Sequence, residues 1–172
     1  VIGANALYGA IEVDGNLTVE GNGWIDINAP FYGIKGQESL TLKNVEIHME
    51  VTAADSIALT TDGMLTLDSA HVDITCATTG GAAVGAYEII MRIGSLKVDS
   101  ACHGVFSSAA FIINEGVVNI DADASGMYCD ELIMYDAEVT VVAQQNGLEI
   151  NSFQMDFGTL SVQSTNGSNS HC

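Results

Sequence analysis

The chain has 172 residues, of which 48% are hydrophobic, and it carries 22 Asp+Glu against 4 Lys+Arg, a formal net charge of −18. That length fits one domain. The charge excludes nucleic acid and disfavours anionic membranes as partners, because phosphate binding needs clustered Lys and Arg. No apolar run approaches the ~20 residues that span a bilayer, so membrane insertion is excluded as well. No signal peptide is recognisable, and the first residue is Val1 rather than Met, as in a processed or an excised chain.

In chain order, the segments alternate apolar and polar residues, then turn. Asp14-Gly15-Asn16 precedes Leu17-Thr18-Val19, and Gly21-Asn22-Gly23 precedes the segment around Ile25 and Ile27. Leu40-Thr41-Leu42, Ile47-His48-Met49 and Ile57-Ala58-Leu59 follow. After Asp62-Gly63 come Leu65-Thr66-Leu67, Val72-Asp73-Ile74 and Ala83-Val84-Gly85. Alternation with period two marks half-buried strands. Gly, Asn and Asp at the corners turn the chain tightly. Helices are nearly excluded, because apolar residues do not recur at helical spacing over any long window.

The same cadence returns every 21–25 residues. Leu17, Leu40, Leu65, Ile89, Phe111, Leu132 and Phe153 form one apolar column. Seven residues later run Trp24, Ile47, Val72, Leu96, Val118, Val139 and Leu160; a third column holds Ile11, Ile34, Leu59, Val84, Val105, Met127 and Leu148. A repeat of this length signals a solenoid, propeller or similar array. A hairpin meander also suits Asn-Gly and Asp-Gly turns, but it needs no column that returns every third strand. The expected fold is therefore all-β: a right-handed parallel β-helix (solenoid) of about seven coils with three short strands per coil, handedness following from parallel crossovers. One solenoid domain spans residues 1–172, either whole or as a fragment of a longer rod. At Trp24 the register slips. A corner lengthened by one residue puts Ile25 and Ile27 inside instead.

The outward columns follow from the inward ones. The first-strand column reads Thr18, Thr41, Thr66, Ile90, Ile112, Ile133 and Gln154. Its stacked Ile90, Ile112 and Ile133 form an apolar stripe, with Phe106, Tyr128 and Tyr135 outward nearby, and such patches mark interaction surfaces. The second-strand column reads Asp26, His48, Asp73, Lys97, Asn119, Thr140 and Ser161. Asp26 and Asp73 fall roughly 9–10 Å apart, at or beyond the wide end for an inverting carboxylate pair. The repeats are too short and even to wall a cleft, and Arg92 is the one arginine. A polysaccharide lyase or hydrolase is therefore only a second alternative, and no catalytic residue or cofactor is expected.

Calcium is a weak candidate at Asp121 and Asp123 or at Asp130 and Glu131, because hard oxygen ligands are present but no known calcium loop is. Cys76 and Cys102 lie beyond the second strand of consecutive repeats, offset by about two residues, and are the expected pair if a disulfide exists. Cys172, the last residue, is a candidate intermolecular thiol. Small buried cysteines are the competing reading.

Asp14-Gly15-Asn16-Leu17-Thr18-Val19-Glu20-Gly21-Asn22-Gly23, with its echoes at Leu40 to Asn44 and Gly63 to Asp68 and with Tyr32-Gly33-Ile34, resembles the repeats of secreted bacterial β-solenoid proteins. These are commonly labelled carbohydrate-binding or adhesin-like. The resemblance implies a secreted or cell-surface scaffold and does not identify a ligand. The expected function is a non-catalytic structural or adhesive module. It would associate with itself or with another surface protein, through the apolar stripe or through open coil ends with the tail 166–172 packed on a neighbour. The first alternative is a carbohydrate-binding module that stacks polysaccharide on exposed aromatics.

Overall fold

The computed structural model describes residues 9–77 and 80–165. The expected tail contacts and Cys172 lie outside the described residues. Twelve strands form in chain order: β1 (Gly9–Val13), β2 (Asn16–Ala29), β3 (Tyr32–Gly36), β4 (Ser39–Val51), β5 (Ile57–Thr61), β6 (Met64–Cys76), β7 (Ala82–Ala86), β8 (Glu88–Ser100), β9 (His103–Ser107), β10 (Ala110–Ala122), β11 (Met127–Ala143) and β12 (Leu148–Ser164). The described residues contain no helix. Every recorded pairing is parallel, and each strand pairs with its counterpart one repeat away. This is the parallel β-solenoid that the repeat implies.

Each coil combines a five-residue strand with a longer one, and in β11 and β12 the two are continuous. The long strand bends midway, which supplies the third side. The bend is made at residues with positive φ: Asn44 at 52°, Ser69 at 54°, Gly94 at 133°, Gly116 at 118° and Gly158 at 108°. At Gly94 and Gly116 even a methyl group is excluded. A Cβ there would lie 2.1 Å from the Ala70 carbonyl oxygen and 2.3 Å from the Gly94 carbonyl oxygen, respectively.

The three apolar columns fill the interior. Leu40, Leu65, Ile89, Phe111 and Leu132 are buried in register, as are Ile47, Val72, Leu96, Val118 and Val139 and, on the short strands, Ile34, Leu59, Val84, Val105 and Met127. Each such aliphatic side chain contributes roughly 1.5–3 kcal/mol on burial. In the first coil, the register shifts between Glu20 and Gly23, and Ile25 then pairs with Ile47 and Ile27 with Met49. Trp24 is left 68% exposed. The lengthened corner inferred from the sequence is thus present as a bulge.

Candidate functional site

The outward columns stack as the spacing implies. Asp26, His48, Asp73, Lys97, Asn119, Thr140 and Ser161 lie in one ladder. Within it, Lys97 Nζ sits 2.9 Å from Asp73 Oδ2, which ties that carboxylate into an ion pair. His48 lies between Asp26 and Asp73, so the two acids do not meet.

Thr66, Ile90, Ile112, Ile133 and Gln154 also form one ladder. The three isoleucines are only half-buried, because each covers its neighbours along the column. Phe106 and Tyr128 belong to a different ladder, the short-strand face, beyond the turn at Ser108 and Ala109. Tyr135, 41% exposed, lies between Met134 and Asp136, near the bend of β11. The six residues singled out from the sequence are therefore spread over separate parts of the surface.

On the short-strand face the outward column reads Glu12, Lys35, Thr60, Gly85, Phe106, Tyr128 and Glu149. At one end, Lys35 Nζ is 3.0 Å from Glu12 Oε1 and 5.3 Å from the Tyr32 ring centroid. The Glu12 partnership raises the Lys35 pKa and lowers that of Glu12. Towards the other end, the Phe106 and Tyr128 rings stack with centroids 5.0 Å apart and planes 7° from parallel.

Beside this stack is a hollow of ≈ 430 Å³, within the range of ligand sites. Ile57, Ala82, Gly85 and Phe106 line its apolar part, and His103, Ser125 and Glu149 stand at its polar end. A second hollow of ≈ 260 Å³ shares Ile57, Gly85 and Phe106 and extends the groove to Asp62 and Tyr87.

The polar end is held in place by its own bonds. Ser125 Oγ and Asn146 Nδ2 both donate to Glu149 Oε1, at 3.1 and 2.6 Å. Among the described residues no hydrogen bond reaches Oε2. The Ser125 backbone N–H donates to His103 Nδ1 at 3.4 Å. In the neutral imidazole this makes Nε2 the donating nitrogen.

Among the described residues no three His, Cys, Asp or Glu side chains converge as metal ligands. Asp123 accepts from Gln144, Asp130 from Asn151 and Glu131 from Ser152, each across one coil. The expected Cys76–Cys102 disulfide is not formed. Cys76 stacks on Ser100, two residues short of Cys102; Cys76 and Cys129 are buried thiols, whereas Cys102 is disulfide-bonded.

Gly85, Glu149 and the groove itself were not among the residues singled out from the sequence. The available signal was Gly85, a bare position in an outward column just before Phe106. Comparison with known proteins finds no matching family model, no matching curated protein and no matching solved structure.

Proposed function

We propose that this solenoid is a non-catalytic scaffold that binds carbohydrate on its short-strand face. The observation that carries the reading is the parallel Phe106–Tyr128 stack at the wall of an apolar groove with a polar end. Aromatic faces take up the C–H faces of sugars, and a few fixed polar groups then set orientation. The larger hollow is lined by one carboxylate, Glu149, whereas glycoside cleavage generally uses two flanking the bond. Glu149 Oε1 is already engaged by Ser125 and Asn146, which suits a fixed recognition group. The reading is compatible with a secreted or cell-surface protein.

A panel of soluble neutral, amino and uronic oligosaccharides, screened by calorimetry, tests this directly. Binding by the wild-type chain, lost in the Phe106→Ala/Tyr128→Ala double variant and kept in Ile112→Ala, is the expected pattern. Absence of binding across the panel would reject the reading.

A second reading, self-association, is favoured by one observation. β12 pairs with β11 along one edge, and Phe153, Met155 and Phe157 on it are exposed. Light scattering at micromolar concentration separates the two readings: a dimer that dissociates in Phe157→Glu supports association, and a strict monomer removes it.

A further inference from the structure

The short-strand ladder is missing one rung. Thr60 and Phe106 flank Gly85 in the outward column, and Phe106 is itself followed by Tyr128. The other outward position of β7 is Ala82, opposite His103. Coil four therefore forms the floor of a slot between Ile57 and Thr60 on one side and His103 and Phe106 on the other.

The fold does not require the glycine. The nearest atoms to a Cβ at Gly85 would be Thr60 Oγ1 at 3.6 Å and two Ile57 carbons at 3.7 Å, which is ordinary contact. The other glycines of these coils are different. A Cβ at Gly33, Gly104 or Gly126 would come within 2.5, 2.4 and 2.2 Å of a neighbouring atom, respectively. Those positions are closed by packing, whereas Gly85, itself buried between its neighbours, is the one of these four that accepts a methyl group at ordinary contact distance.

We infer that this vacant rung is a binding slot for one pyranose ring, stacked on the face of Phe106 opposite Tyr128, with the oligosaccharide running along β7 across the axis of the rod. This inference rests on the carbohydrate-binding reading above and adds the subsite and the sugar class. A ring placed there continues the Phe106–Tyr128 stack at its 5.0 Å spacing, inside the 4.5–7 Å range of ring stacking.

His103, on the same strand as Phe106 and opposite Ala82, offers Nε2–H as a donor to a sugar hydroxyl at this slot. Charge complementarity sets the class. Asp62 lines the hollow beside Gly85, Ala86 and Tyr87, on a chain of net charge −18. A uronate along β7 would meet the Asp62 carboxylate on an acidic chain, so the slot takes neutral or amino pyranoses and rejects uronic ones.

The experiment fills the rung. Gly85→Phe and Gly85→Ala are compared with the wild-type chain by circular dichroism and by calorimetric titration with cellotetraose, chitosan tetramer and tetragalacturonate. The expected result is a retained β spectrum for both variants, at least tenfold weaker binding of the first two sugars by Gly85→Phe, and at least tenfold discrimination by the wild type against the uronate. Wild-type binding that Gly85→Phe leaves unchanged, while Phe106→Ala/Tyr128→Ala abolishes it, would overturn the slot and leave the carbohydrate reading standing. Equal binding of the uronate would overturn the assigned sugar class. No wild-type binding of any tetrasaccharide would overturn both the slot and the reading beneath it. Should Gly85→Phe lose its β spectrum, Gly85→Ala decides: its methyl group narrows the slot, so unchanged affinity in that variant overturns the inference.

Discussion

Tyr128 repeats Phe106 one coil along, in register, with its ring 5.0 Å away and within 7° of parallel. In-register parallel stacking converts a sequence repeat into a stacked pair of like side chains. Such a pair contributes about 0.5–1.5 kcal/mol beyond area burial. A double-mutant cycle of Phe106→Ala and Tyr128→Ala by urea unfolding should give a coupling in that range. Additive single variants would mean that the stack contributes nothing to stability.

The core column should respond far more strongly. Leu65 is fully buried between Leu40 and Ile89. Leu65→Ala should lower stability by about 2–5 kcal/mol. A loss below 1 kcal/mol would show that the coils collapse onto the cavity.

Two glycines should behave oppositely. Gly116 combines φ of +118° with a closed Cβ position, so Gly116→Ala should destabilise by about 1–3 kcal/mol or more. Gly85 has space for a methyl group, and Gly85→Ala should be neutral or stabilising by up to about 1 kcal/mol. Equal effects on thermal midpoints would contradict the geometry of both sites.

The cysteines offer a chemical check. Burial pushes the Cys129 thiol from its ordinary 9.0 up to about 11, with the Asp130 charge adding to the rise and a Phe111 backbone hydrogen bond opposing it. The folded state thus favours the neutral thiol. Its contribution to stability is full below about pH 9 and is lost as pH rises through about 11. Native Cys129 should resist alkylation at pH 8, and Cys129→Ala should reduce the stability loss in that window. In denatured, unreduced protein Cys76 and Cys129 should label and Cys102 should not. Label on Cys102 would contradict its disulfide.

Like charges also stack. Asp121 lies in register with Asp99, and Asp136 with Glu115. Directly opposed like charges destabilise a sheet by a few tenths of a kcal/mol up to about 1, and salt screens them. Asp121→Asn should raise the thermal midpoint at low ionic strength, and the gain should shrink at 1 M salt. A salt-independent gain would point to a cause other than repulsion.

The fold was legible in the sequence because a solenoid writes its core as a column. Leu40, Leu65, Ile89, Phe111 and Leu132 repeat what a single alternating strand leaves ambiguous, and the bulge before Ile25 could be inferred because the column must stay inside. The site was less legible. Outwardness was read correctly for Ile112 and Phe106, but the turn at Ser108 and Ala109 that separates their ladders sets their mutual placement. Gly85 was hidden for a further reason: a glycine in a strand ordinarily signals tight backbone packing. Only the absence of a clash at its Cβ position distinguishes it from Gly104. The cysteine pairing failed for want of two residues of register, since Ser100 occupies the position that stacks on Cys76.

The most direct measurement is a backbone-amide NMR titration of the wild-type chain with chitosan tetramer. Shift changes concentrated on Ala82, Gly85, His103, Phe106 and Tyr128 are the expected result. Changes centred instead on Ile90, Ile112 and Ile133, or none at saturating sugar, would contradict recognition by the short-strand groove.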